Sequence, residues 1–134
     1  MLFRSMNNRI LIISIDEIFI QQTRKVLEEL GIEILVANDG ISGFNKARES
    51  EPGVIITEIT LPYMNGYHVS KLLKNDDRFK AIPIVFISGD DDNETILNTK
   101  RAGGDLFIRK PIQTKILLNQ LLDLLSETEK TEEF

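Results

Sequence analysis

Residues 54–67, VIITEITLPYMNGY, set a short apolar run against an acid and then a turn. Val54, Ile55 and Ile56 are β-branched, too few for a helix and apolar on both faces, so they suit an interior strand of a parallel sheet. Pro62, Asn65 and Gly66 mark the loop that follows. In an open parallel sheet the chemistry collects beyond the carboxyl ends of the strands, and Glu58 stands at such an end. Taken alone it is a solvated acid at a strand tip. Its meaning depends on what the other strand ends bring to it.

The rest of the chain supplies those ends. Residues 10–15 are almost continuously apolar and read as a first strand. Asp16 is placed to cap a helix from Glu17 to Leu30, with Phe19, Val26, Leu27 and Leu30 on one side, Thr23 filling the gap and Gly31 as the stop. A second strand covers 32–37 and a short helix about 41–50, with Phe44 and Ala47 inward. After the Glu58 loop, a helix over about 66–75 offers Val69, Leu72 and Leu73 as its buried face. Residues 84–88 form a fourth strand ending at Ser88, then a helix over about 93–102, a fifth strand over 106–109 reaching Lys110 and Pro111, and a last helix over about 112–126. Five strands alternating with five helices through short connections predict a three-layer, doubly wound α/β sandwich. The predicted organisation is a leader over 1–8, one domain over 9–126 and a polar tail over 127–134.

Composition narrows the function. The 134 residues suffice for one domain whose core needs no disulfide or metal. A net charge of −5 and scattered Lys and Arg argue against a nucleic-acid surface. With no cysteine, thiolate chemistry and Cys-based zinc sites are excluded. No apolar stretch approaches the roughly 20 residues of a membrane helix, and MLFRSM lacks a signal-peptide core, so a cytoplasmic protein without nucleic-acid or membrane partners is expected.

If the fold is right, Ser14 and Ile15, Glu58, Ser88 and Lys110 meet in one crevice. Glu58 lies four residues before Pro62 and eight before Gly66; Ser88 follows it by 30 residues, and Lys110, with Pro111 after it, follows Ser88 by 22. Over residues 9–126 this order and spacing resemble the receiver domains of two-component response regulators, with a flavodoxin-like (βα)5 fold and parallel strand order 2-1-3-4-5. The resemblance implies an Asp phosphoacceptor at the position of Glu58 and two acids holding Mg²⁺ at Ser14 and Ile15. It also implies Ser88 and Lys110 on the phosphoryl oxygens, a cis peptide before Pro111, and an aromatic switch position at Phe107, where plain core is the preferred reading. Here Glu replaces the Asp, and Ser14 and Ile15 replace the acids. Slipping the first strand by one residue would bring Asp16 to the second acidic position, but the helix phase favours the first register, and Ile15 removes an acid in either. Ile has no oxygen to offer Mg²⁺, so weak or absent metal binding and no other cofactor are expected.

The expected function is therefore a pseudo-receiver, non-enzymatic and acting through protein contact. The runner-up is a receiver still phosphorylated by a histidine kinase through non-standard chemistry. A flavin carrier would need a phosphate-cradling loop after the first strand, where SIDEIF stands instead. The longer Glu58 side chain makes an ion pair with Lys110 and a hydrogen bond from Ser88 possible; a locked active-like and a locked inactive-like state remain equally open, as do a switch role and simple strand-end bonding for Ser88. His68 is expected on the surface, Asp90–Asp92 as a helix cap and Tyr63 and Met64 as exposed loop residues. The last helix carries Ile and Leu round more than one stripe, so Leu118, Leu122 and Leu125 are assigned to a partner surface. In the resembled family the fourth helix, fifth strand and fifth helix meet partners or a second copy. No DNA-binding element is expected after residue 126.

Overall fold

Alternation along the strands decides which helices cover which face. The computed structural model describes the backbone of residues 7–132 and the side chains of residues 7–124. Its elements are β1 (Arg9–Ile13), α1 (Glu17–Glu29), β2 (Glu33–Ala37), α2 (Gly40–Ser50), β3 (Val54–Glu58), α3 (Gly66–Lys74), β4 (Ile84–Ser88), α4 (Asn93–Arg101), β5 (Leu106–Arg109) and α5 (Thr114–Glu132). The strands form one parallel sheet in the order β2-β1-β3-β4-β5. Ile10, Ile12, Ile56, Val85 and Ile87 point to one side and pack with Phe19, Ile20 and Leu27 of α1 and Leu117 and Leu121 of α5. Leu11, Ile13, Ile55, Ile84 and Phe86 point to the other and pack with Ala47, Val69, Leu73 and Ala102 from the region of α2, α3 and α4. Both faces of the sheet are thereby covered, which is why these strands are apolar throughout.

Four helices begin at side-chain caps: Asp16, Asp39, Asn65 and Asp92 accept from the backbone N–H groups of Phe19, Ser42, His68 and Thr95. The Asp90–Asp92 run thus ends in a cap, as expected. Gly31 takes φ 82 just past α1, a conformation cheap only for glycine.

Several boundaries and faces differ from the sequence reading. β1 stops at Ile13, and Ile15 is 60% exposed because the chain has already turned toward α1. In α1 the buried set is Phe19, Ile20, Thr23 and Leu27, whereas Leu30 is exposed and Val26 half-buried. In α3 it is Ser70, not Leu72, that faces inward; its hydroxyl donates to the Ala102 carbonyl at 2.6 Å, which satisfies a polar group at a fully buried position. Met64 is half-buried, while Tyr63 is exposed at φ 68. Finally, α5 continues to Glu132, through residues expected as tail. No helix among the described residues is long and apolar enough to cross a membrane.

Candidate functional site

Strand register brings the site together. Ile13 pairs with Thr57, so the next residues, Ser14 and Glu58, lie side by side; Glu58 pairs with Ile87, and Ser88 with Arg109. Lys110 follows Arg109, its N–H donating to the Ser88 carbonyl at 2.8 Å. The peptide bond from Lys110 to Pro111 is cis. Gly66 holds the Glu58 backbone from below, since any β-carbon there would overlap the Glu58 carbonyl oxygen, and its N–H donates to Ile59 at 2.8 Å.

At the centre, the Lys110 ammonium donates to Glu58 Oε1 at 2.8 Å and to Asp16 Oδ2 at 2.9 Å. The Ser14 hydroxyl donates to Glu58 Oε2 and accepts from the Asp16 N–H at 3.0 Å. Asp16 Oδ1 accepts from Phe19 N–H, so all four carboxylate oxygens have partners. The Phe19 ring lies 5.6 Å from the ammonium. Asn38 ties the next loop in by donating to the Ser14 carbonyl at 2.9 Å. Beside the ion pairs, Ile18, Phe19, Gln22, Pro111 and Ile112 complete a cleft of about 340 Å³ with Asp16 and Lys110.

Protonation follows from these contacts. The hydrogen bond from Lys110, helped by the Phe19 N–H, holds the Asp16 carboxyl below its usual value. Burial pulls the Lys110 ammonium down, but the hydrogen bonds to Glu58 and Asp16 together outweigh it and hold the group above its usual value. Asp16 therefore contributes stability present above the ordinary carboxylate pKa and lost as pH falls through its lowered one. Lys110 contributes stability present below the ordinary lysine pKa and lost as pH rises through its raised one. Between those limits Asp16 and Lys110 are both charged.

The residues singled out from sequence divide accordingly. Glu58, Ser14, Asp16 and Lys110 meet, and Glu58 and Lys110 form the direct ion pair anticipated for them. The hydrogen bond to Glu58 comes from Ser14, whereas Ser88 Oγ accepts from the Asp90 N–H at 3.0 Å. Ile15 points to solvent. Phe107 is half-buried and packs with the α2–α4 side of the core. His68 is exposed. Leu118 and Leu122 are half-buried against the other core cluster, Ile116 is 47% exposed, and the side chain of Leu125 lies outside those described. Sequence reasoning named Asp16 as a cap and as an alternative acidic position of the site, but missed it as the second partner of Lys110, a contact spanning 94 residues with no local signal. Among the described residues, no three His, Cys, Asp or Glu side chains are grouped to hold a metal ion.

Known proteins share this architecture. The chain is 28% identical over 113 residues to PilH of Pseudomonas aeruginosa, covering 84% of this chain and 93% of that protein. It is 30% identical over 110 residues to an uncharacterised 76.5 kDa protein of Thiocystis violacea, covering 82% of this chain but only 16% of that much longer protein. A CheY-like response regulator receiver domain protein from Methanospirillum hungatei superposes with a TM-score of 0.85 at 26% identity, covering 93% of this chain and 98% of that one. The model of the response regulator receiver domain family matches residues 10–122. With this match across both core clusters and every strand end of the site, the chain belongs to the response regulator receiver domain family of two-component signalling.

Proposed function

We propose that this receiver signals through protein contact without phosphoryl transfer to its strand-end acid. The observation that carries the reading is the engagement of both Glu58 oxygens, by the Ser14 hydroxyl and the Lys110 ammonium, at the position where a phosphoacceptor must be free to attack. The donors around it do not suit Mg²⁺. Ser14 commits its hydroxyl to Glu58, Ile15 offers no oxygen, and Asp16 is held by Lys110 and by its capping bond. Phosphoryl transfer depends on such an ion to offset developing charge, so the chain lacks the main source of that catalysis.

Intact-mass spectrometry after incubation with Mg²⁺ and acetyl phosphate tests the reading. The wild type and Glu58→Asp are expected to remain unmodified, and the triple variant Ser14→Asp, Ile15→Asp, Glu58→Asp to gain an Mg²⁺-dependent phosphoryl adduct. A donor- and Mg²⁺-dependent adduct on the wild type would instead make this a working receiver with non-standard chemistry.

The face of α4, β5 and α5 is the proposed contact surface for a protein partner, including a second copy. Among the described residues, Leu97 on α4 and Ile116 on α5 are exposed large apolar side chains, 45% and 47% accessible, that such a contact would cover. In sedimentation velocity the wild type is expected to self-associate with rising concentration and Leu97→Glu, Ile116→Glu to remain monomeric. Equal masses at all concentrations would remove the second copy from the proposal.

A further inference from the structure

We infer that the Lys110 ammonium is the built-in cation of this site, holding the place of a divalent ion between Asp16 and Glu58 and making the domain's stability independent of free metal. The inference rests on the reading of the site as one without phosphoryl chemistry, and it names what occupies the site instead.

Two carboxylates converge on one point at the end of the sheet, and like charges so placed repel unless a cation lies between them. The ammonium sits there at 2.8 Å from Glu58 and 2.9 Å from Asp16. Those are hydrogen-bond lengths. Mg²⁺ binds oxygen at about 2.0–2.1 Å, so it would require each carboxylate to move inward by about 0.8 Å. The oxygens are not free to do so at no cost: Glu58 Oε2 is held by Ser14, and the second oxygen of Asp16 caps α1. An ammonium has three N–H donors, two of them used on these acids, and the Phe19 ring borders the same pocket at 5.6 Å.

Tethering adds to the advantage. Lys110 is attached directly after β5, and its backbone is fixed by the bond from its N–H to Ser88. Its binding to the acids is therefore intramolecular, and a free ion competes against a high effective concentration of ammonium. Side-chain exposure of 21% for Lys110 and 15% for Glu58 shows that the central pair is largely enclosed, where salt screens it little. Asp16 explains how the site can dispense with the acids missing at Ser14 and Ile15: a helix cap, already placed by α1, supplies the second carboxylate.

Thermal unfolding of the full chain tests this in millimolar Mg²⁺ or Ca²⁺ against EDTA. The wild-type midpoint is expected to move by less than about 1 °C between these conditions. Lys110→Met is expected to melt several degrees lower in EDTA and to recover part of the loss in Mg²⁺ or Ca²⁺, and the double variant Lys110→Met, Glu58→Gln not to recover. A divalent-dependent rise in the wild type, or a Lys110→Met midpoint indifferent to both ions, overturns the inference. The wild-type arm decides even if the Met variant does not fold. Failure here is separable from failure of the proposed function: a metal-stabilised wild type that takes no phosphoryl group sinks only the built-in cation, whereas a phosphoryl adduct on a wild type with a metal-independent midpoint sinks only the non-phosphorylated reading.

Discussion

Replacing Phe86 by alanine is expected to remove about 3–5 kcal/mol of folding stability, the range for deleting a fully buried aromatic side chain. Phe86 is completely buried in β4, between the strands that carry Glu58 and Arg109. Its ring meets Tyr67 at a centroid distance of 5.7 Å. Gly104 lets the chain pass close by, because a β-carbon there would come within 2.6 Å of the ring. The surrounding backbone belongs to the central sheet and its tight turns, so the vacated space has little means to collapse. In urea the midpoint should fall with the denaturant slope unchanged. A loss below about 1 kcal/mol would mean that this side of the core is not packed as described.

Gly40→Ala is expected to cost about 3 kcal/mol, the upper end for overpacking, because the obstruction is backbone and not a side chain that can swing away. A β-carbon at Gly40 would overlap the Met64 carbonyl oxygen and lie 2.6 Å from its carbon. The Gly40 N–H also donates to the Pro62 carbonyl at 3.1 Å. This contact stitches the start of α2 to the loop leaving Glu58, so the substitution should loosen the site's support as well as the fold. Gly89→Ala is the control: apart from its chain neighbours, nothing lies within 4 Å of a β-carbon there. Its midpoint should stay within about 0.5 kcal/mol of wild type. Equal stabilities in the two variants would show that the close approach at Gly40 does not govern its effect.

Helix starts were readable in the sequence where a capping side chain stood one position before an apolar-periodic run, as at Asp16 and Asp92, since the signal is local. Helix faces were less so. Leu72 and Ser70 lie two residues apart, and hydrophobicity favours burying the leucine. The serine wins because α3 presents it to the open carbonyl at the end of α4, where its hydroxyl finds a partner. Leu30 and Ile15 likewise follow the apolar pattern yet face solvent, because each falls where its element has already ended. The polar end of α5 was read as tail, since polarity alone does not distinguish a solvated helix from a coil.

For the site, sequence by itself determined the strand-end acid, the lysine with its proline, the spacing that joins them to a receiver fold, and the absence of an acidic pair at Ser14 and Ile15. These are properties of residue identity and of distance along the chain. Only the tertiary structure decided that Ser14, not Ser88, donates to Glu58, and that Asp16 shares Lys110 with it. The reason is geometric: β1–β3 register sets Ser14 against Glu58, and the first turn of α1 aims its cap at a side chain 94 residues away.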